Sequence, residues 1–539
     1  MPVLKDHYYR LASEVPQERI EAATTLLQEL TQVNENDEWN YALNRLIKGL
    51  TSSRQSARLG FSMALIEVLR ELVEKEEHEL TVSTFLEQVL KLSQVKSSMK
   101  GKEERSVLFG RLFGLQVLLN SQLLFNEKVS SSEQLCQFVD VLVELSSIKS
   151  WLRETSIFTL CQFIGLLKGN SNEEEALVHI LQKINEVGLN LTTEGIAVYL
   201  SIPQQNREIY ASKIVDTKPN WKNGDPFSKG NLPTLSKALK DVEVVDPEND
   251  GNETPKSKNG NSKQKGSWSP RIHFVWDIII QNYNMHSVGD AVDNENETSN
   301  SKKRKKTLSK SSKKQKIADG NEIPLKEFWK VVVDETLFAD KSSHERKYWG
   351  FEIFIKFLTS MKSTEISSLF TQNFMRCLIN QSSQQNRILN KISSKVLNII
   401  IDNSNKDFTK APIILECLID ESKGGCWNFD LVTKSKCTDR LIAVLNGKED
   451  INSIEVDLVL NQFKDVLISK FNNALASQDE SESDIEVMKK SNDNIQKWAL
   501  DKLLLLFRSN KILLSDAKIN SKWLTKILKL LIQHSFLKK

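Results

Sequence analysis

Lys302, Lys303, Arg304, Lys305 and Lys306 are followed by Lys310, Lys313, Lys314 and Lys316. That is nine basic side chains in fifteen residues, with no acid among them. Such a run can be read by a nuclear import receptor as a bipartite localisation signal, or it can neutralise nucleic-acid phosphates. The competing reading is a solvated linker that happens to be basic. Because the surrounding stretch is polar and should be accessible, we read the cluster as nuclear or nucleolar targeting. A second basic set is spread along the chain: Arg54, Arg58, Arg105, Arg111, Arg346 and Lys347. These are candidate phosphate or partner contacts if successive helices bring them to one face. The alternative is ordinary surface pairing with nearby acids such as Glu103 and Glu104.

Patterns that would support catalysis do not occur. The sequence has no G-x-G-x-x-G, no G-x-x-x-x-G-K-[ST] and no G-x-S-x-G. Two-metal nucleotidyl transfer needs clustered carboxylates on a rigid scaffold, and no Asp-x-Asp appears anywhere. Asp290 and Asp293, or Glu480, Glu482 and Asp484, lie in polar stretches and read as solvated charge. Cys417, Cys426 and Cys437 have neither Cys-x-x-Cys spacing nor a nearby His, so buried structural cysteines fit better than zinc ligands. His273 sits in an apolar island and reads as a hydrogen-bonded core residue. We expect no catalytic residue, metal, cofactor or small-molecule substrate.

The elements that carry these residues follow from composition. The chain has 539 residues, 73 basic and 70 acidic, and 40% of it is apolar. Without the nine residues of the 302–316 cluster, 64 basic residues face 70 acidic ones. The body is therefore not a uniformly basic nucleic-acid binder, and any phosphate contact must come from a local patch. Gly and Pro, at 20 and 11 residues, are scarce, which argues against an all-β chain. No apolar run approaches the ~20 residues of a membrane span, and residues 1–20 lack the apolar core of a secretory signal. Six scattered cysteines make no disulfide framework. The expectation is a soluble, intracellular protein without a membrane partner.

Apolar residues recur three and four apart through most of the chain. Blocks with this period cover roughly 12–30, 59–73, 82–99, 103–125, 133–147, 151–168 and 173–190. They resume over 325–338, 344–360, 364–380, 385–402, 409–421, 433–446, 454–476, 486–509 and 520–537. Val331-Val332-Val333 could be a strand, but three residues do not decide it. Several blocks open with an early arginine: Arg19, Arg58, Arg153, Arg346 and Arg387. An early Arg followed by an amphipathic helix is a common dress of HEAT and armadillo repeats, and the blocks pair at roughly their 40–47-residue period. The predicted fold is an all-α, armadillo/HEAT-like helical solenoid with disordered basic insertions. The expected organisation is a helical-repeat segment over 1–245, a disordered linker over 246–271, a docked apolar helix over 272–286, a disordered basic loop over 287–322, and a second helical-repeat segment over 323–539. The ten tryptophans read as packing residues; Trp268, in a basic stretch, is the one that could stack on a base.

Several stretches together resemble a known family. They are Asn40–Leu50 running into Ser52–Phe61, then Glu103-Glu104-Arg105 with Phe109–Leu115, His273–Asp277, and Ser342–Phe351. In order, they are similar to the Myb-binding protein 1A family, whose fungal member is called DNA polymerase V or polymerase phi. The resemblance implies a nuclear, chiefly nucleolar protein linked to ribosome biogenesis and ribosomal RNA gene transcription. It implies pre-ribosomal proteins and ribosomal RNA or rDNA as partners. The polymerase name rests on a proposed likeness to B-type enzymes, which use an Asp-Thr-Asp type metal motif that this chain lacks. Family members are longer, with an acidic stretch and a basic C-terminal tail. A chain that ends at Leu537-Lys538-Lys539, directly after a helix, is expected to be an N-terminal portion or a truncated form. A transport-receptor solenoid would share the fold class, but the lysine-rich loop makes this chain look like cargo.

Overall fold

The computed structural model describes residues 3–33, 35–74, 80–126, 128–240, 269–295, 322–446, 453–476, 485–509, 525–530 and 532. The 302–316 cluster, Trp268 and most of the expected 246–271 linker lie outside the described residues. Among those described there is no β-strand, and the fold is the expected all-α solenoid. No helix among them is long and apolar enough to cross a membrane.

The first helices are α1 (Asp6–Arg10), α2 (Pro16–Val33), α3 (Asn36–Gly49), α4 (Gln55–Glu74), α5 (Val82–Leu92) and α6 (Lys102–Asn120). They continue with α7 (Ser132–Ile148), α8 (Ser150–Leu166), α9 (Glu173–Glu186), α10 (Thr193–Ser201) and α11 (Gln204–Ala211). Next come α12 (Leu232–Lys240), α13 (Val275–Glu295), α14 (Leu325–Phe328), α15 (His344–Ser360), α16 (Gln372–Ser382) and α17 (Asn390–Lys406). The series ends with α18 (Lys410–Ile419), α19 (Phe429–Thr433), α20 (Cys437–Ile442), α21 (Ser453–Ala476) and α22 (Ile485–Ser509). The chain divides into two compact units. One is Met1–Asn231 with Asp241–Ile278, and the other is Leu232–Lys240 with Ile279–Lys539.

The first unit is built of two helical layers. Helices α2, α4, α6, α8 and α10 pack in succession, and α3, α5, α7, α9 and α11 pack in a parallel succession beside them. Most of these helices bury one stripe between the layers, for instance Leu43, Leu46 and Ile47 of α3, which packs on α4 with its buried Ala64, Leu65 and Val68. A stripe of this width has to be covered by a neighbouring helix, which is why such repeats stack rather than fold singly. Close packing is set by small residues: a Cβ on Gly60 would fall 1.9 Å from the Leu11 carbonyl oxygen. Helix starts are fixed locally. Thr81 and Thr84 form a capping box on α5, and Ser131 and Gln134 form one on α7.

Helices α10, α11 and α12 fall where the period of three and four was not visible. In α10 nearly every residue from Thr193 to Leu200 is buried, so there is no polar face to produce an alternation.

The second unit centres on an aromatic cluster. Phe351 and Phe354 of α15 pack with Phe338, Phe370 and Phe374, and Trp329 meets Phe354 and Phe357. Val331-Val332-Val333 lie in a π-helical stretch over Trp329–Asp334, not in a strand. Helix α13 begins as the apolar island, with Val275, Trp276, Ile279, Ile280 and Tyr283 buried, and runs past residue 286 to Glu295. Asn386, Arg387 and Ile388 lie in the turn before α17, so Arg387 is not an early-helix arginine as the block over 385–402 suggested.

Candidate partner-binding face

Two early arginines of the first unit, Arg19 and Arg58, share one geometry. Arg19 donates from Nη1 to the Ser13 carbonyl oxygen at 2.8 Å, and Arg58 donates to the Ser52 carbonyl oxygen, also at 2.8 Å. In both cases the serine is six residues upstream, and its hydroxyl accepts a backbone N–H two residues on: Val15 at 3.1 Å and Arg54 at 3.3 Å. The arginine therefore ties the connecting turn to the helix that follows it.

The guanidinium groups also reach the next helix of their layer. Arg58 lies 5.0 and 5.6 Å from the ring centres of Phe109 and Phe113 on α6. Arg105 on α6 lies 5.6 Å from the ring centre of Trp151 on α8, and Phe109 and Trp151 are 5.0 Å apart. These are cation–π distances. Burial pushes the Arg58 guanidinium below its ordinary value, and it stays fully charged because a guanidinium titrates far above neutrality.

The named arginines do not all share one face. Arg54 is exposed, and its side chain has no partner among the described residues. Arg58 and Arg105 are joined through Phe109 and Trp151. Arg111 is about 240° further round α6 than Arg105. It turns instead to the end of α5, donating to the Ser93 hydroxyl and carbonyl at 3.3 and 3.1 Å. Glu104 pairs with Lys149 at 3.1 Å, while Arg58 and Arg105 meet a carbonyl oxygen and aromatic rings.

Residues 269–274 lie on this layer at α8, where Arg271 forks onto both carboxylate oxygens of Glu154. Glu154 also accepts the Phe274 N–H. The Phe274 ring sits edge-on to Phe158 at 5.2 Å. Burial raises the Glu154 carboxyl above its ordinary range, and Arg271 draws it back. His273 beside them is 3% exposed and stacks on Phe274. Its Nδ1 accepts the Val275 N–H at 3.1 Å, and burial pushes its pKa down to about 3. Sequence reasoning missed the Glu154–Arg271 pair, because nothing local links residues that far apart.

Arg346 and Lys347 belong to the second unit, in the first turn of α15. Lys347 donates to the Asp340 carbonyl oxygen at 3.3 Å. His344, the first residue of α15, lines an open cleft of about 410 Å³ with Gln381, Gln384, Asn386, Arg387 and Ile388. Asn390 holds the cleft loop by donating to the Gln381 and Gln384 carbonyl oxygens, both at 3.0 Å. The lining contains side-chain donors and no acid.

The remaining candidate groups are structural in geometry. All six cysteines are free thiols, and Cys377, Cys417 and Cys437 are buried. Burial pushes Cys377 and Cys417 up to about 11. Among the described residues, no three His, Cys, Asp or Glu side chains converge as metal ligands. Trp39, Trp276 and Trp329 are fully enclosed in the core.

The sequence model described as DNA polymerase phi matches residues 41–539. The chain belongs to this family. It is similar to the rDNA transcriptional regulator POL5 of Saccharomyces cerevisiae, with 36% identity over 542 residues, covering 96% of this chain and 48% of the relative. It is similar to the rDNA transcriptional regulator pol5 of Schizosaccharomyces pombe, with 26% identity over 530 residues, covering 98% of this chain and 47% of the relative. Myb-binding protein 1A of Mus musculus is 27% identical over 237 residues, 44% of this chain and 16% of that protein. The chain thus spans about half the length of the yeast relatives it matches. No solved structure matches it.

Proposed function

We propose that this polymerase phi family chain is a non-enzymatic nucleolar scaffold in ribosome biogenesis and ribosomal RNA synthesis. It binds pre-ribosomal proteins, nucleic acid or both. The observation that carries the reading is its alignment, over nearly its whole length, with two yeast proteins named rDNA transcriptional regulators. The physical support is the extended two-layer stack of the first unit. Its even-numbered helices present half-buried arginines beside aromatic rings, a surface suited to a long partner rather than a small substrate. The 302–316 cluster delivers the chain to the nucleus through an import receptor and adds weak phosphate contacts. The family's polymerase name is not matched by residues: a B-type active site needs its paired aspartates, and the sequence holds no Asp-x-Asp.

The relatives' printed names favour a second reading, a regulator bound at ribosomal RNA genes. In-cell crosslinking of the tagged chain, with RNA and chromatin recovered in parallel, separates the two. Crosslinks concentrated on precursor ribosomal RNA and its assembly proteins support the scaffold. Enrichment on rDNA with little RNA supports the regulator. Robust primer extension by the purified chain with Mg²⁺ would overturn both.

A further inference from the structure

We propose that the first halves of α2, α4 and α6 form a docking strip for an extended peptide segment of a partner protein that alternates acidic and apolar side chains. The inference deepens the scaffold reading and rests on it. Three features of the strip converge.

The first is a set of guanidinium groups that meet no carboxylate among the described residues, although Glu18 and Glu103 stand exposed on the first turns of α2 and α6. Arg54 is exposed without a side-chain partner among the described residues, and Arg58 and Arg105 meet rings and a carbonyl oxygen but no carboxylate there. The Nε of Arg58 and of Arg105 is buried without a hydrogen-bond partner. Guanidinium groups held against aromatic faces are half-desolvated, which strengthens their attraction for an incoming carboxylate.

The second is exposed apolar surface in register with that charge. Ile20 directly follows Arg19 and is 48% exposed; Leu59 directly follows Arg58 and is 46% exposed. Their chain neighbours meet: a Cβ on Gly60, next to Leu59, would lie 2.9 Å from the Arg19 side chain, which puts Ile20 and Leu59 beside one contact of the packed pair α2 and α4. Phe109 and Phe113 continue the patch onto α6 under Arg58. A polar ligand such as a phosphate backbone has no use for Ile20 and Leu59, whereas a peptide side chain does.

The third is that the same layer already holds an extended segment one helix further on. On α8 the residue after the early Arg153 is Glu154, and it is covered by Arg271, while Phe274 covers Phe158. On α2 and α4 the equivalent places are taken by Ile20 and Leu59, and they are uncovered. Those places are apolar on α2 and α4 where α8 has an acid, so the occupant carries apolar side chains where residues 269–274 carry Arg271, and its acids fall to Arg54, Arg58 and Arg105. The spacing suits such a chain. Packed helices lie about 8–10 Å apart, and three residues of polyproline II advance about 9 Å. One apolar and one acidic side chain per three residues would therefore meet each helix in turn.

The test uses the full chain and two fluorescein-labelled nonapeptides: Pro-Leu-Asp repeated three times, and Pro-Leu-Lys repeated three times. Anisotropy titration should show the acidic peptide binding more tightly than the basic one by about tenfold or more. Leu59→Glu, a surface change that leaves the core intact, should weaken acidic-peptide binding about tenfold. Leu431→Glu, an exposed leucine of the second unit, should leave it unchanged. Equal binding of the two peptides, or no effect of L59E, overturns the proposal. So does a nonamer of uridylate that binds more tightly than the acidic peptide and is displaced by L59E. Recovery of assembly proteins from cells with wild-type and L59E chains separates the failures. If both recover the same set, the strip is not the site and the scaffold stands; if the wild-type chain recovers none, the scaffold reading fails.

Discussion

Arg58 donates to the carbonyl oxygen of Ser52 at 2.8 Å, and by that bond fastens the turn after α3 to the start of α4. The same guanidinium then lies over Phe109 of α6, so one side chain joins three consecutive pieces of the stack. Arg58→Ala removes a charged hydrogen bond and a cation–π contact. A loss of about 2 kcal/mol is expected. Arg58→Lys recovers only part of it, because an ammonium lacks the planar fork. Denaturant midpoints of the full chain check this; an unchanged first-unit transition in R58A would refute it.

Asp334 acts as a helix cap from a distance. Its carboxylate accepts the Thr371 hydroxyl at 2.6 Å and the Phe374 N–H at 2.8 Å, at the start of α16. Because Asp334 is buried, Asp334→Ala leaves both donors without a partner or water. The expected cost is about 2–3 kcal/mol. Asp334→Asn keeps one acceptor oxygen and should lose less. Hydrogen exchange at the α16 amides gives the local readout, with faster exchange expected in D334A.

His273 makes stability depend on pH. Its ordinary value of 6.5 is lowered to about 3 in the fold by burial. Between these values the unfolded chain takes up a proton that the folded chain refuses, so stability is complete above pH 6.5 and falls as pH drops toward 3. Between pH 6.5 and pH 5 the expected loss is about 2 kcal/mol. His273→Gln cannot titrate and should flatten this part of the profile. Urea midpoints at pH 7.5 and pH 5 for the two proteins decide it; equal slopes would exclude His273 as the origin.

Replacing Lys302, Lys303, Arg304, Lys305, Lys306, Lys313, Lys314 and Lys316 by Ala should move a tagged chain to the cytoplasm. Stability should not change, since a run with nine basic side chains and almost no apolar ones has little to bury in a core. Imaging checks the first outcome and thermal unfolding the second. An unchanged nucleolar signal would remove the targeting role.

How much of this could be read in advance varies from residue to residue. The stacked architecture was legible because each repeat needs a buried stripe, and the stripe leaves its period in the sequence, as in Leu43, Leu46 and Ile47. The early arginines were legible as a recurring theme at Arg19, Arg58 and Arg153, but their work was not. Arg19 and Arg58 bond carbonyl oxygens, and Arg58 lies against aromatic rings, contacts that neither the phosphate reading nor the alternative of acid pairing had named. Arg387 imitated the theme from inside a turn. Val331–Val333 were undecidable because a run that short carries no period. Helix α10 was invisible because burial on all sides leaves no polar face.

By itself the sequence determined the helical class, the pairing of helices into repeats and the family. All three rest on local residue types and their spacing, which a chain carries before it folds. Tertiary structure alone decided that Arg105 faces Trp151 while Arg111 turns to Ser93, that Arg271 closes on Glu154, and that Asp334 caps α16. Those partners are set by the rotation of each helix in the stack and by chain segments that meet only after packing. No local pattern records such distances.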